Sequence, residues 1–62
     1  MKFVGIRKDE ETQEIIKYEL NLLHEEIQCL YKDQYGVYAC TQQGRMYKID
    51  SSLEELKFEV GL

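Results

Sequence analysis

The sequence predicts a mostly β protein, an antiparallel meander of about six short strands. Three observations carry this prediction. The length of 62 residues allows a single small domain, residues 1–62. Apolar and polar residues alternate in several segments, and glycine-bearing turns separate those segments. The chain has no proline and 44% hydrophobic residues, which is typical of a folded domain rather than a disordered one.

The six predicted strands share either this alternation or a high content of β-branched and aromatic residues. They are residues 3–7, 15–20, 25–30, 36–41, 46–50 and 54–60. The clearest alternation runs from Leu56 to Val60, where apolar and charged residues take turns. Residues 8–13 form the predicted first loop, while Gly36 and Gly44 belong to two shorter turns.

An internal similarity suggests that the strands form two three-strand repeats. Three pairs of segments line up along the chain: 3–7 with 37–41, 17–22 with 48–53, and 25–29 with 54–58. Small changes of spacing fall in the loops, where insertions are tolerated. If the repeat holds, the segment around Ile27 has the same extended conformation as the segment around Leu56.

Residues 21–32 also fit a helix. Leu23, Ile27 and Leu30 recur at helical spacing, and Asn21 is a residue type that caps helix N-termini. Periodicity alone does not separate the two readings in so short a segment. The alternative fold is therefore α+β, with one helix at 21–32 packed on the sheet.

Residues 27–50 combine an apolar strand, an Asp, a glycine turn, an aromatic strand and a second glycine turn. The residues concerned are Leu30, Asp33, Gly36, Val37, Tyr38, Ala39, Cys40, Thr41, Gly44 and residues 47–50. This stretch resembles a single blade repeat of the sensor-type β-propellers, with Tyr38 where Trp is usual. Since a propeller takes about four to eight blades, the resemblance implies a local strand arrangement and no catalytic residue.

Charge and motif content exclude several function classes. The net charge of −4 disfavours nucleic-acid binding, which depends on neutralising phosphates. A nucleic-acid-associated protein remains an alternative if the basic residues meet on one face. Those residues are Lys2, Arg7, Lys17, Arg45, Lys48 and Lys57. No phosphate-binding glycine loop and no hydrolase or metalloprotease motif occurs, so we expect no catalytic site and no enzyme.

The cysteines and the single histidine, with carboxylates beside them, are the candidates for a ligand or metal site. Cys29 and Cys40 lie in apolar contexts, which predicts buried free thiols. Together with His24 they offer three potential ligands without the close spacing of a zinc motif. A small-ligand or metal binder that uses these three residues is the second alternative, and we expect no cofactor.

Five tyrosines are the most distinctive feature of the composition. Tyr18 and Tyr47 fit core or cross-strand positions. Tyr31, Tyr35 and Tyr38 bracket one turn and form a candidate partner-binding patch, because aromatic residues with a polar group are enriched at interfaces.

An open sheet has two edges and one apolar face to cover. We therefore expect a homo-oligomer, with a dimer favoured, or a complex with another protein. The chain carries neither the apolar run of about 18 residues that spans a membrane nor a secretory signal. The sequence thus predicts a cytoplasmic, non-enzymatic protein-interaction or oligomerising accessory module that binds no membrane.

Overall fold

A computed structural model describes residues 1–61, and Leu62, the last residue of the predicted domain, lies outside the described residues. The described chain forms five strands, one 3-10 turn and one α-helix. These are β1 (Lys2–Lys8), β2 (Ile15–Asn21), the 3-10 turn His24–Glu26, β3 (Ile27–Asp33), β4 (Gly36–Thr41), β5 (Met46–Ile49) and α1 (Leu53–Val60). The predicted mostly β antiparallel fold is confirmed.

The five strands form one sheet in the order β2-β1-β5-β4-β3, and all neighbours are antiparallel. Strands β1 and β2 form one hairpin, while β3, β4 and β5 form a meander. The two units join where Gly5 of β1 lies opposite Ile49 of β5. Strands β2 and β3 are consecutive in the chain and yet occupy the two opposite edges of the sheet.

The core lies on the inner face of the sheet, under α1. Alternate residues of the strands point to this face, and Leu56 and Val60 of α1 are buried against them. The buried strand and loop residues are Phe3, Leu20, Leu22, Val37, Ala39 and Ile49. The helix thus covers the apolar face that the sequence left open, and no second copy is needed for that purpose.

The predicted sixth strand, residues 54–60, is wrong, because this segment is the helix α1. Ser52 is the N-cap, and its side-chain oxygen accepts a hydrogen bond from the amide of Glu55 at 3.2 Å. Gly61 ends the helix in the left-handed conformation, with φ of 83°. Leu56 and Val60 are then buried one turn apart, whereas Phe58, which a strand would place beside them, is 88% exposed.

The alternative helix at 21–32 is also wrong, because only His24–Glu26 turn and an extended strand begins at Ile27. The apolar residues of this segment do not share one face. Leu23 is 57% exposed, while Ile27 and Leu30 pack against the core. The two three-strand repeats are not observed either, since the third element is a strand in the first half and a helix in the second.

Candidate interaction surface on strands β3, β4 and β5

The β3–β4 hairpin is set by the tight turn between Asp33 and Gly36. The Asp33 Oδ1 accepts hydrogen bonds from the amides of Tyr35 at 2.8 Å and Gly36 at 3.1 Å. Asp favours turns because its carboxylate can satisfy such amides locally. Gly36 has φ of 153°, a value that L side chains rarely adopt. This turn fixes which residues of β3 and β4 lie opposite one another.

Two of the predicted patch residues, Tyr31 and Tyr38, meet on the outer face of the sheet. They are cross-strand partners, and their rings stack with centroids 5.1 Å apart and planes 18° from parallel. Both are half-buried. The third residue, Tyr35, lies at the tip of the turn and is 69% exposed. The structure therefore places all three tyrosines at one hairpin, two in contact and one beyond them.

Sulfur side chains lie next to the stacked rings. Cys29 faces Cys40 across β3 and β4, and Cys40 in turn faces Met46 across β4 and β5. The Tyr31 hydroxyl donates a weak hydrogen bond to the Met46 sulfur at 3.9 Å. We call the group Cys29, Tyr31, Tyr38, Cys40 and Met46 the tyrosine–sulfur surface.

The prediction of two buried thiols is corrected at Cys29, which is exposed, while Cys40 is half-buried. Both cysteines lie on the outer face, and Cys29 belongs to an edge strand that nothing in residues 1–61 covers on that side. Burial raises the pKa of Cys40 above its ordinary value, and a hydrogen bond with Cys29 adds to the shift. The apolar neighbours of each cysteine in the sequence thus predicted a place in the sheet, but they did not predict whether its side chain lies on the inner or the outer face.

The phenol of Tyr31 stays protonated over a wider pH range than a free tyrosine. Desolvation by its neighbours and the nearby Asp33 charge both raise its pKa. At neutral pH the hydroxyl is therefore a hydrogen-bond donor, as its contact with Met46 requires.

His24 does not join the cysteines. It is exposed, and its Nε2 lies 2.8 Å from the carbonyl oxygen of Val60 at the end of α1. Within the part of the chain that the structure describes, no group of three or more His, Cys, Asp and Glu side chains could hold a metal ion. The predicted constellation of His24 with Cys29 and Cys40 is not assembled.

A groove of about 500 Å³ lies between the β1–β2 hairpin and α1. Its apolar floor includes Phe3 and Tyr18, and Glu55 and Glu59 of α1 line its other side. Two ion pairs border it on the outer side, Lys2 with Glu19 at 3.6 Å and Lys17 with Asp50 at 3.0 Å. These four side chains are all substantially exposed, so the groove offers no desolvated acid–base pair.

The basic residues do not gather on one face. Lys2, Lys17 and Lys48 lie on the outer face of the sheet, whereas Lys57 lies on α1, across the sheet from them. Lys2 and Lys17 are, in addition, each paired with an acidic side chain. Three of the six basic residues of the nucleic-acid alternative thus share a face, and two of these three are paired with acids, so among residues 1–61 they do not form the basic stripe typical of phosphate binding.

Comparison with protein-family models, with curated proteins and with solved structures found no match to this chain. Among residues 1–61, no helix has the length and apolar content needed to cross a membrane. Sequence reasoning found the three tyrosines but missed Met46, whose place beside them follows only from the register between β4 and β5.

Proposed function

We propose that this chain is a non-enzymatic protein-interaction module that self-associates through the tyrosine–sulfur surface and the neighbouring edge strand β3. The observation that carries the proposal is the stacked pair Tyr31 and Tyr38, half-exposed on the outer face of the sheet, with the exposed Tyr35 and Met46 beside it. Aromatic residues and Met are enriched in interface cores, and Tyr often contributes disproportionately to binding.

The edge position of β3 supports the same proposal. An edge strand presents unpaired backbone amides and carbonyls, and these groups can add a strand from another chain. The outer face beside this edge carries no ion pair among residues 1–61, in contrast to the other edge of the sheet. A dimer interface of standard size would bury about 800 Å² per copy, which would support a chain whose own core is small.

Self-association is the form we propose first, and a complex with a different protein is the second form of the same module. Because α1 covers the inner face, a dimer is not needed to bury that face. The proposal therefore depends on the outer face and on the edge strand β3. A cytoplasmic location and the resemblance of residues 27–50 to a propeller blade stay predictions from the sequence.

Size-exclusion chromatography with light scattering, over a range of concentrations, tests the proposal. We expect the wild type to gain mass toward a dimer as concentration rises. Tyr35→Ala and Tyr31→Ala should each shift the transition to higher concentration, because each removes aromatic contact area. Tyr35 is exposed in a turn, so Tyr35→Ala should leave the free energy of unfolding nearly unchanged.

Phe58→Ala is the matched control, since it removes an exposed aromatic side chain from α1, away from the tyrosine–sulfur surface. It should leave the mass unchanged. A dimer that is lost in Phe58→Ala and kept in Tyr35→Ala and Tyr31→Ala would place the interface on α1 and contradict the proposal. A folded monomer at every concentration would exclude self-association.

A further inference from the structure

Cys29 and Cys40 are direct cross-strand partners on the outer face of β3 and β4. Opposed residues of an antiparallel pair have Cα atoms about 4.5–5.5 Å apart. A disulfide spans Cα separations of about 4.4–6.8 Å, so the backbone already holds the two residues at bonding range. Both are free thiols in this structure.

Neighbouring contacts hold this pair in register. The stacked rings of Tyr31 and Tyr38 lie two residues further along the same strands. On the other side of the pair, the amide of Gln42 donates to the carbonyl of Glu26 at 2.9 Å. The two cysteines therefore lie between an aromatic stack and a backbone hydrogen bond, at opposed positions whose usual separation a disulfide spans.

We propose that Cys29 and Cys40 form a reversible disulfide within one chain, so that this face of the sheet is an oxidative modification site for hydrogen peroxide. The Cys29 thiolate attacks one peroxide oxygen, the O–O bond breaks, and Cys29 becomes a sulfenic acid while hydroxide leaves. The Cys40 sulfur then attacks the Cys29 sulfur, the S–O bond breaks, and the second oxygen leaves as water. In sum, two thiols and one peroxide give one disulfide and two waters.

The structure assigns different roles to the two cysteines. Cys29 is exposed on the edge strand, so peroxide reaches it directly. Cys40 is less accessible, and its raised pKa lowers its thiolate fraction at neutral pH. Cys29 is therefore the residue that reacts first, and Cys40 is the residue that resolves the sulfenic acid.

A bridge would tie the edge strand to the sheet at a point where the pairing is irregular. The register between β3 and β4 shifts between Ile27 and Cys29. Oxidation should therefore slow hydrogen exchange in residues 27–31 more than in the β1–β2 hairpin. This inference concerns one chain alone, so it does not depend on the proposed self-association.

The test uses the full chain, reduced, freed of reductant and treated with hydrogen peroxide at low protein concentration. We expect the intact mass to fall by two hydrogens, both thiols to become unreactive toward maleimide, and dithiothreitol to restore them. The product should run as a monomer on a non-reducing denaturing gel. Thiols that stay reactive, or disulfides between chains as the main product, would overturn the proposal.

Two matched variants separate the roles of the cysteines. In Cys40→Ser the sulfenic acid at Cys29 has no resolving thiol, so a dimedone probe should label it. In Cys29→Ser, Cys40 should react with peroxide several-fold more slowly than Cys29 does in Cys40→Ser. Equal rates in the two variants would contradict the assignment of roles, while the mass measurement on the wild type tests the bridge without any variant.

Discussion

The two hairpins of this protein share one architecture and present different surfaces. In β1–β2 and in β3–β4, an Asp at the start of the turn accepts two amides, and each hairpin gives its inner face to the same core. Their outer faces differ. The β1–β2 hairpin carries the Lys2–Glu19 ion pair and Lys17, which pairs with Asp50 just after β5, whereas the β3–β4 hairpin carries stacked tyrosines and cysteines.

This difference concerns the outer faces alone, because the inner faces of both hairpins pack on one core. A charged outer face keeps an edge hairpin in water and discourages strand addition. The β3–β4 hairpin lacks this protection, although it lies at an edge as well. Both hairpins contribute inner-face residues to the core, so the outer face of β3–β4 is the surface that we propose for contact and for thiol chemistry.

The largest expected effect tests whether the two hairpins share one core. Leu56 of α1 is fully buried beneath the sheet, and Leu56→Ala should cost about 2–5 kcal/mol. A chain of this size has a free energy of unfolding of about 3–9 kcal/mol. Hydrogen exchange should therefore quicken in both hairpins together, and urea unfolding should shift to a much lower midpoint.

Phe58→Ala is the control for this loss, because Phe58 lies on the same helix and is 88% exposed. It should change the free energy of unfolding by no more than about 0.5 kcal/mol. If Leu56→Ala unfolds the β3–β4 hairpin and leaves β1–β2 protected from hydrogen exchange, the two hairpins do not share a core.

The next effect is confined to the β1–β2 hairpin. Gly5 lies against the ring of Tyr18, and a Cβ at Gly5 would overlap the ring carbon Cζ. Gly5→Ala should therefore displace Tyr18 and cost about 1–3 kcal/mol. Chemical denaturation of Gly5→Ala, Tyr18→Ala and the double variant measures this clash.

The double variant shows whether the ring is the cause. Once Tyr18 is Ala, adding Gly5→Ala should cost much less than it does in the wild type, so the two effects should be strongly non-additive. Additive losses would mean that the backbone of Gly5, rather than the ring, sets the cost.

A smaller effect compares the two outer faces directly. A double-mutant cycle of Tyr31→Leu and Tyr38→Leu should give a coupling of about 0.5–1.5 kcal/mol, since the rings stack. A cycle of Lys17→Ala and Asp50→Ala should give about 0.2–1 kcal/mol, since both side chains of this pair are exposed.

The dependence on salt concentration distinguishes the two coupling energies more clearly than their magnitudes do. The Lys17–Asp50 coupling should shrink as sodium chloride is raised from low to about 1 M, where the Debye length is about 3 Å. The Tyr31–Tyr38 coupling should not. A salt-sensitive tyrosine cycle would show that charge, such as that of the nearby Asp33, holds this face together.

Much of the fold follows from the sequence, because strand period and turn chemistry agree in β1, β2, β4 and β5. The last element fails for a physical reason. In the five residues from Leu56 to Val60, the first and last apolar residues are four apart, so they share a face in a helix as well as in a strand. Only Phe58 between them distinguishes the two structures. The cap decides the outcome: Ser52 followed by Glu55 and the terminal Gly61 are helix signals that the alternation concealed.

The candidate site was predictable in part. A two-residue turn at Gln34 and Tyr35 fixes the partners along β3 and β4, so the contact of Tyr31 with Tyr38 and that of Cys29 with Cys40 follow from the turn alone. Met46 joins them through β5, whose register depends on the longer turn after Thr41. The periodicity of the sequence does not predict how β5 pairs with β4.

The smallest effect concerns the turn of the β1–β2 hairpin. Asp9 Oδ1 accepts hydrogen bonds from the amides of Glu11 at 2.8 Å and Thr12 at 3.1 Å. These bonds, that of Thr12 first, lower the pKa of Asp9 below 3.8 because they favour the charged carboxylate. Asp9 should therefore stabilise the folded chain above about pH 3.8, and this contribution should be lost as the pH falls through the lower folded pKa.

An NMR titration of the Asp9 carboxyl carbon measures this shift, with the urea-unfolded chain as the reference. Asp9→Asn keeps an oxygen that can accept the same two amides and removes the charge. The variant should keep the hairpin while losing the part of the acid dependence that Asp9 supplies. Because the carboxylate is exposed, the effect on stability should be slight. A pKa of Asp9 in the folded chain at or above its unfolded value would contradict the prediction. The turn would then be held by its backbone hydrogen bonds, such as that from the Asp9 amide to the carbonyl of Glu14.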